Sequence, residues 1–470
     1  MGKLNPNKFF LFRHRFKLGY LLLGLIFTGL LFFLPLITPN GLSNDEFNFT
    51  TKTFELNRHT IFREVIVDLP YHLLQKGIFK IFSVSPYTIM LPSVIIGAIT
   101  CILIILLLNR WFKNNTAIMA SIITVLSSSF LFISGSGTAL IMILFWTTLL
   151  LWLGSKVQGE NKPKASWCFL FGIFMCLSIF TPYMLYLDFF ILIYVFVHPH
   201  LRFTLKNLPK IPLIIFSLIV ISTVTTLILR GLKHPDIFTE LLLMPNFSFT
   251  NYFHNLGNAM RVAITWNGLV ESTFLAPLYG LPAITLAIIG FISTFKGFFA
   301  SRNSMAFLLT IFTLLISGLN SQMIILHKWS SIFPYNPYAK VIGVLPIGLF
   351  MLIVIISDLN HFVYGYRYSA PVANQFTNDI KLLDRYYKNN LLYLPENQEN
   401  RNFYVHLANS HTIFNKTPKY QYISNLSENT EKHNIISFEK ITDTEHYELE
   451  HIVTNEKSQN ADRLYLYKSK

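Results

Sequence analysis

Long apolar stretches separated by short polar loops make up most of the first 360 residues of the chain. Residues 18–37 are almost uninterruptedly apolar, and about twenty residues suffice for a helix to cross the hydrocarbon core of a bilayer. The basic residues before this stretch, and the lack of an A-x-A-like site after it, predict an uncleaved anchor and not a signal peptide. The pattern predicts an all-α polytopic membrane protein with ten or eleven transmembrane helices. The nine later apolar stretches are 86–108, 116–134, 137–154, 166–180, 182–198, 211–229, 277–298, 304–325 and 339–357.

Two of these stretches, 166–180 and 182–198, are short, and Thr181-Pro182 separates them. The loops on both outer flanks are basic, which favours a hairpin of two crossings over one long tilted helix. Asp188 lies inside the second stretch, where a carboxylate is energetically costly. The sequence leaves a functional role and a packing role for Asp188 equally open.

The composition excludes the soluble and the disordered classes of protein. The chain is 52% hydrophobic and 13% charged, whereas soluble domains contain about 25% charged residues. Its 44 Phe residues far exceed what a disordered chain carries. The three cysteines all lie in apolar stretches, so neither a disulfide framework nor a cysteine-based metal site is predicted.

The net charge of +14 belongs to the first 359 residues, where 25 Lys and Arg face 11 Asp and Glu. A nucleic-acid-binding protein would gather its basic residues in one soluble patch, so no nucleic-acid partner is predicted. Here the basic residues occupy loops on one side of the bilayer, which the positive-inside rule assigns to the cytoplasm. The basic loop residues are Arg110, Lys113, Lys156, Lys162, Lys164, Arg202, Lys206, Lys210, Lys296 and Arg302.

The acidic residues concentrate on the other side of the predicted membrane. Eight of the 11 acids that precede the C-terminal region fall in two long polar loops, 39–85 and 230–276. We therefore expect the exterior face to be the working face of the protein. The eight acids are Asp45, Glu46, Glu55, Glu64, Asp68, Asp236, Glu240 and Glu271.

Residues 71–84 in the first exterior loop have helical periodicity with one polar face. Leu73 and Ile78 lie on the apolar face, whereas His72 and Gln75 lie on the face predicted to be wet. Such a helix lies in the interface plane of a membrane, or it caps the ends of the spans, and both interpretations stay open.

Residues 359–470 are predicted to form a small soluble α/β domain that follows a transmembrane domain over 1–358, because short apolar segments alternate there with polar turns. Ten crossings would place this domain inside, beside the N-terminus. One more short or re-entrant crossing within 304–357 would make eleven crossings and would place it outside.

The order of a first span, an exterior loop with an early acidic pair, an interfacial helix and a second span resembles the GT-C membrane glycosyltransferases. The nearest resemblance is to family 39, the protein O-mannosyltransferases and the lipid A aminoarabinose transferases. Segments 171–186 and 329–343 also resemble parts of these proteins, and the resemblance covers roughly residues 17–357. The matching residues around the second span are Ser85, Leu91, Pro92, Ser93, Gly97, Asn109, Arg110 and Phe112.

This resemblance implies transfer of a sugar from a polyprenyl-phosphate-type lipid donor to an acceptor at the outer face of a bacterial cytoplasmic membrane. Nucleotide sugars stay in the cytoplasm, so an enzyme that faces outward needs a donor anchored by its own lipid. The family's role for a first-loop carboxylate falls on Asp45 as the general base, with Glu46 orienting a metal ion or the acceptor. From the residues alone, the alternative is a solvated helix N-terminus with Asn44 or Asp45 as N-cap.

The chain departs from the family in the loop between the third and fourth spans. Many members carry a second acid there, whereas residues 133–140 contain neither an arginine nor an acid. Two carboxylates and a phosphate would bind a divalent cation, so Mg²⁺ or Mn²⁺ at Asp45 is a prediction that rests on one carboxylate. Asp236 or Glu240 is the alternative second ligand, and a non-catalytic relative is the alternative function.

The donor phosphate requires exterior cations, and an arginine fork suits phosphate oxygens. The alternative for each cation is contact with lipid headgroups. A transporter or flippase of lipid-linked sugars is a weaker functional alternative, because no internal repeat is visible. The candidate cations are Arg58, Arg63, Arg230, Lys233 and Arg261.

Overall fold

The computed structural model describes the helical region and parts of the C-terminal region. The described residues are 10–37, 42, 44–56, 67–158, 165–208, 210–242, 251–257, 281–295, 298–317, 344–360, 362–363, 382–387, 390–394, 413, 421–426, 433–441, 445–453 and 464–470.

Helices dominate the described residues that precede residue 361. In chain order they are α1 (Phe10–Ile37), α2 (Asn44–Glu55), α3 (Leu69–Ile81), α4 (Pro86–Trp111), α5 (Asn114–Val125), α6 (Ser128–Gly135), α7 (Leu140–Gln158), α8 (Ala165–Ser178), α9 (Met184–Val197), α10 (Pro199–Lys206), α11 (Lys210–Gly231), α12 (Asp236–Leu242), α13 (Leu281–Phe295), α14 (Ser301–Ser317) and α15 (Val344–Asn360).

Each of the ten predicted apolar stretches contains a helix, which confirms an all-α polytopic membrane architecture. Among the described residues, α1, α4 and α7 are individually long and apolar enough to cross a membrane. The helices α5 and α6 form one broken span with a bend of 57°. α9 turns by 88° into α10, and that helix has no buried residue and is polar on average. The apolar helices α8, α11 and α14 are shorter.

Helix α4 lies at the centre of the bundle and packs against α1, α3, α5, α6 and α7. It starts with a capping box, in which the Ser85 hydroxyl accepts from the backbone N–H of Thr88 and the Thr88 hydroxyl accepts in return. Gly97 lets α6 approach closely, because a Cβ at this position would lie 2.7 Å from Oγ of Ser134. The central helix is thus held at its start by the cap and along its length by close packing.

The α8–α9 turn, residues 179–183, forms the predicted hairpin at Thr181-Pro182. Tyr183 has φ 66°, in the left-handed region, and directly precedes α9. The backbone N–H of Asp68 donates to the carbonyl of Phe180 at 2.8 Å, and Tyr183 N–H donates to the carbonyl of Leu241 at 3.1 Å. The turn therefore sits at the same end of the bundle as the first loop and α12. We call this end, formed by α2, α3, the α6–α7 loop (136–139), the α8–α9 turn and α12, the first-loop face.

The basic loops meet at the opposite end of the bundle, as predicted. Arg110 Nε donates to the carbonyl of Ser155 at 2.9 Å, and Arg302 donates to the carbonyl of Trp111. Gln158 Nε2 donates to the hydroxyl of Ser301 at 2.6 Å. These bonds connect the ends of α4 and α7 with the start of α14.

The C-terminal region contains a five-stranded mixed sheet, which confirms the predicted small α/β component. The strands are β1 (Leu391–Tyr393), β2 (Tyr422–Ile423), β3 (Ile435–Ser437), β4 (Tyr447–Val453) and β5 (Leu464–Ser469). Their order is β2-β1-β3-β5-β4, with β1 parallel to β2 and β3, and β5 antiparallel to β3 and β4.

Ile413 shows on which side of the bundle this region lies. It is buried in one apolar cluster with Leu42, Phe47, Ile89 and Met90, which belong to the first loop, α2 and the start of α4. The C-terminal region therefore touches the first-loop face. The number of crossings, ten or eleven, stays a prediction, because residues 318–343 fall outside the described part of the chain.

Alanine substitutions at two helical glycines test the packing of α4 on α6. Gly97→Ala should lower the melting temperature, because the new Cβ must displace Ser134 at an overpacking cost of about 1–3 kcal/mol. Gly77→Ala is the matched control, since a Cβ there meets nothing within 4 Å and alanine gains about 1 kcal/mol of helix propensity. Thermal unfolding of the two purified variants measures the difference, and equal melting temperatures would contradict the packing.

Candidate active site

The two predicted site carboxylates lie in the first turn of α2 and have different surroundings. The side chain of Asp45 is exposed. Glu46 is only 6% exposed, and its Oε1 accepts a hydrogen bond of 2.5 Å from the backbone N–H of Gly137. Negative charge in this turn is favourable because free backbone N–H groups point out of a helix N-terminus. The acidic pair therefore splits into one buried anchor and one exposed carboxylate.

The resemblance leads us to expect a second acid in the α6–α7 loop. In this chain the loop supplies the backbone N–H group of Gly137 instead. Gly137 suits this role, because a Cβ there would lie 2.9 Å from Cγ2 of Ile89 and 3.4 Å from Oε1 of Glu46. A larger residue would push the loop away from Glu46. In this chain the loop therefore holds the first-loop carboxylate and adds no second one.

A buried polar network connects α2 to α3. The Thr53 hydroxyl lies 2.7 Å from Nδ1 of His72 and donates to Oε1 of Gln75, and Gln75 Nε2 donates to the carbonyl of Ile89 at 3.3 Å. Phe49 stacks on His72 with ring centroids 4.2 Å apart. Burial, assisted by the charge of Lys52, lowers the pKa of His72 to about 4, so this imidazole is neutral near pH 7.

This network corrects the predicted orientation of α3. The sequence pattern predicts a wet face for His72 and Gln75, whereas both are buried and hydrogen-bonded. The physical reason is that Thr53 and the start of α4 offer partners that the sequence of α3 does not reveal. The exposed side of the helix and its end instead carry Leu73, Ile81 and Phe82. Helix α3 thus caps the bundle and also presents apolar residues outward.

A second chain of hydrogen bonds connects α3 to the α6–α7 loop through α4. The Tyr71 hydroxyl lies 2.7 Å from the Ser93 hydroxyl, and Ser93 Oγ donates to the carbonyl of Thr138 at 2.9 Å. Burial raises the pKa of Tyr71 well above its usual value, so the phenol stays neutral. The loop that holds Glu46 is therefore itself held in place by hydrogen bonds through α4 to α3.

Asp68, predicted only as one of the acids of the first exterior loop, is a buried carboxyl group in the structure. It precedes α3 with φ 57°, which is unusual for aspartate, and it is 8% exposed. Burial raises its pKa to about 8; a hydrogen bond with Thr181 and the charge of Lys52 act against this rise, and Glu240 adds to it. No sequence motif singles out Asp68, because its burial depends on the α8–α9 turn.

The structure describes two of the five predicted donor-binding cations. Arg230 is half-buried near the end of α11, and Lys233 is exposed just beyond it. Both lie next to α12, which packs on α11 and the α8–α9 turn. Arg58, Arg63 and Arg261 fall outside the described residues.

Lys52 is a further cation of the first-loop face, outside the set predicted from the sequence. It lies on the same helix as Asp45, and its Nζ is 3.9 Å from Oε1 of Glu240 on α12. Both side chains are more than half exposed, so the pair adds little stability. The pair connects α2 to α12 on the first-loop face.

The sequence offers Asp236 or Glu240 as the alternative second metal ligand. The described residues do not complete a metal site at either one. The side chain of Asp236 lies outside them, and Glu240 faces Lys52. Within the described part of the chain, no three His, Cys, Asp or Glu side chains cluster as metal ligands do. The hydrogen bond from Gly137 occupies only Oε1 of Glu46, and Mg²⁺ or Mn²⁺ at Asp45 stays a prediction.

Asp188 contributes to the α8–α9 hairpin. The Ser178 hydroxyl donates to Oδ2 of Asp188 at 2.7 Å, which connects the end of α8 to the first turns of α9. Both side chains are buried. This contact supports the packing role for Asp188.

Comparison with known proteins identifies the fold. The family described as dolichyl-phosphate-mannose-protein mannosyltransferase matches residues 70–226, about a third of the chain. The oligosaccharyltransferase AglB from Archaeoglobus fulgidus, in complex with an inhibitory peptide and a dolichol-phosphate, superposes with a TM-score of 0.52 at 12% identity over 86% of this chain. The chain has a GT-C fold. The resemblance seen in the sequence is therefore confirmed.

Other solved structures with this GT-C fold cover the chain to different extents. The same archaeal oligosaccharyltransferase in its apo form superposes with a TM-score of 0.50 at 12% identity, covering 87% of this chain and 65% of its own. ArnT from Cupriavidus metallidurans bound to undecaprenyl phosphate gives a TM-score of 0.43 at 11% identity, covering 96% and 98%. The chain thus spans about two thirds of the archaeal enzyme's length, 64% in the peptide complex. No curated protein sequence matches it.

Substitution of Glu46 tests whether its carboxylate anchors the GT-C first loop. Glu46→Ala leaves the Gly137 N–H group without its acceptor, and losing a buried charge-assisted bond costs about 1.5–3 kcal/mol. Glu46→Gln keeps an acceptor oxygen at the same place and should cost less than half as much. Thermal unfolding measures both variants, and a Gln variant as unstable as the Ala variant would contradict the anchoring role.

Proposed function

We propose that the protein is a glycosyltransferase that moves a sugar from a polyprenyl-phosphate-type lipid donor to an acceptor at the exterior face of a bacterial cytoplasmic membrane. The observation that carries the proposal is the pairing of an exposed Asp45 with a buried Glu46 in one helical turn. The bond from Gly137 to Glu46 fixes this turn, so that Asp45 is held at the surface of the first-loop face.

The proposed chemistry is a direct displacement with inversion at the sugar carbon. Asp45 accepts the proton of the acceptor hydroxyl as that oxygen attacks the anomeric carbon. The bond from this carbon to the donor phosphate breaks, and the phosphate leaves with the electron pair. A base in this position supplies about 10²–10⁴-fold of rate. No metal ion enters this scheme.

The leaving phosphate needs positive charge nearby, and the candidates keep the roles proposed from the sequence. Arg230 and Lys233 lie beside α12, whose Glu240 faces Lys52 of α2. This proximity supports a donor-phosphate site on the same face as Asp45. Arg58, Arg63 and Arg261 complete the proposed set.

The fold and the ligand of its archaeal neighbour support a lipid-phosphate donor. The AglB complex contains a dolichol-phosphate, which combines a polyprenyl chain with a phosphate, as does the proposed donor. Three helices in the described part of the chain are long and apolar enough to cross a bilayer, and we infer that the donor lipid reaches the first-loop face from the surrounding membrane. The bilayer is accordingly the first partner of the protein.

A non-catalytic relative is the second candidate, and one observation favours it. The α6–α7 loop gives an amide to Glu46 and contributes no second carboxylate. A scaffold of this kind would keep the fold and the lipid contact, but it would not need the exposed Asp45.

Asp45→Asn distinguishes the two candidates. Transfer should fall at least 100-fold, because the amide cannot accept the proton, while the melting temperature should stay within about 1 °C since the side chain is exposed. Glu55→Gln is the matched control, because Glu55 is an exposed carboxylate at the other end of the same helix. Mass spectrometry of envelope glycans in a producing strain without its own chromosomal copy measures transfer.

Unchanged glycans in the Asp45→Asn strain would overturn the catalytic proposal in favour of the scaffold. The metal prediction has its own arm, in which membranes are stripped with EDTA and assayed with and without added Mg²⁺ or Mn²⁺. Activity that survives EDTA supports the displacement without a metal, and restoration by one ion alone supports a cation at Asp45.

A further inference from the structure

The buried carboxyl group of Asp68 lies where three parts of the first-loop face meet. Its carbonyl accepts from the backbone N–H groups of Tyr71 and His72, which starts α3, and its own N–H donates to Phe180 in the α8–α9 turn. Its side chain bonds Thr181 of the same turn. The residue thus joins α3 to the hairpin through both its backbone and its side chain.

A short chain of hydrogen bonds leads from Trp146 through Thr181 to this carboxyl group, and each donor points toward the carboxyl group. The Trp146 indole N–H donates to the Thr181 hydroxyl at 3.0 Å, so the Thr181 proton is free to be donated to Asp68. Among the described residues, Oδ1 of Asp68 has no hydrogen-bond partner and is inaccessible to solvent. A buried ionised carboxylate with one donor is poorly compensated, and a neutral acid that carries its proton on Oδ1 is the better fit.

The charged groups that face Asp68 come from the elements that pack around it. Lys52 of α2 and Glu240 of α12 act on it with opposite sign, and these two are 3.9 Å apart. From α3, the neutral phenol of Tyr71 interacts with it, and the backbone N–H of His72, whose imidazole is neutral, donates to the Asp68 carbonyl. An ionised Asp68 would therefore compete with Glu240 for Lys52, which is on the helix that carries Asp45.

We propose that Asp68 is a positioning residue that holds the first-loop face together while its carboxyl group is protonated and loosens it on ionisation. The inference rests on the proposed function, because the face that Asp68 holds is the one that presents Asp45. The group acts through α3, the α8–α9 turn and Lys52, and it touches neither donor nor acceptor.

The direction of the pH dependence follows from the raised pKa of Asp68. The unfolded chain releases this proton near pH 4, whereas the folded chain keeps it until about pH 8. Stability from this group is therefore complete below pH 4, falls as the pH rises from about 4 to 8, and is constant above that window. In Asp68→Asn, which is neutral and can still bond Thr181, this decline should disappear.

A matched pair of variants separates this role from ordinary packing. Lys52→Gln and Glu240→Gln both break the same ion pair, so effects of losing the pair are common to them. Glu240→Gln removes a charge that raises the Asp68 pKa, and Lys52→Gln removes one that lowers it. The transition should move to lower pH in the first variant and to higher pH in the second, by about 0.2–0.5 pH unit because both partners are exposed.

The experiment follows the purified full chain in detergent from pH 6 to 9.5. Tryptophan fluorescence reports on Asp68 through Trp146 and Thr181, and Trp146→Phe identifies that signal. We expect one transition near pH 8 in the wild type, opposite displacements in the Gln variants, and no transition in Asp68→Asn. Between pH 5 and 9 the melting temperature of the wild type should fall relative to that of Asp68→Asn as the pH rises.

Binding of undecaprenyl phosphate is the functional arm. From pH 7 to 9.5 the wild type should lose about tenfold in affinity, while Asp68→Asn should stay flat. A transition that persists in Asp68→Asn, or that moves the same way in both Gln variants, would overturn the positioning role. If no variant binds the lipid while the fluorescence transitions behave as expected, the proposed donor fails and the role of Asp68 in holding the face stands.

Discussion

The buried hydrogen bond between the Gly137 N–H group and Glu46 is the constraint on which the first-loop face depends. It joins residues 91 positions apart, and it connects a loop between two spans to the helix that presents Asp45. A buried carboxylate needs strong hydrogen-bond partners. If the loop moved away, Glu46 would either become exposed to solvent or stay buried without the Gly137 hydrogen bond. This coupling gives the exposed carboxylate a defined place on an otherwise apolar bundle.

Two further buried networks make that constraint rigid. Thr53, His72 and Gln75 connect α2 to α3, while Tyr71 and Ser93 connect α3 to the loop that contains Gly137. Each of these polar groups lies where unsatisfied hydrogen bonds would be costly. The face is thus closed into a ring of contacts, and a displacement of α3 would break bonds at both ends.

The division of the acidic pair has a chemical consequence. Glu46, which the sequence suggested as a metal or acceptor ligand, is engaged with the backbone, whereas Asp45 stays accessible. The absence of a second acid in residues 133–140 is accompanied by a glycine whose N–H group replaces it structurally. The loop that lacks an acid therefore holds Glu46 in place. The proposed catalysis depends on one carboxylate, Asp45.

The sequence alone determined the membrane class, the positions of the apolar stretches, the hairpin at Thr181-Pro182, the gathering of basic loops at one end and the resemblance to the GT-C fold. These features are readable because hydropathy, charge and turn residues act over a few neighbouring positions. Only the tertiary structure decided which of Asp45 and Glu46 is buried, that His72 and Gln75 face inward, that Asp68 is a buried acid, and that Ile413 places the tail on the first-loop face. Each of these depends on a partner that is distant in the chain, and successive helical residues point about 100° apart, so local pattern cannot say which one meets that partner.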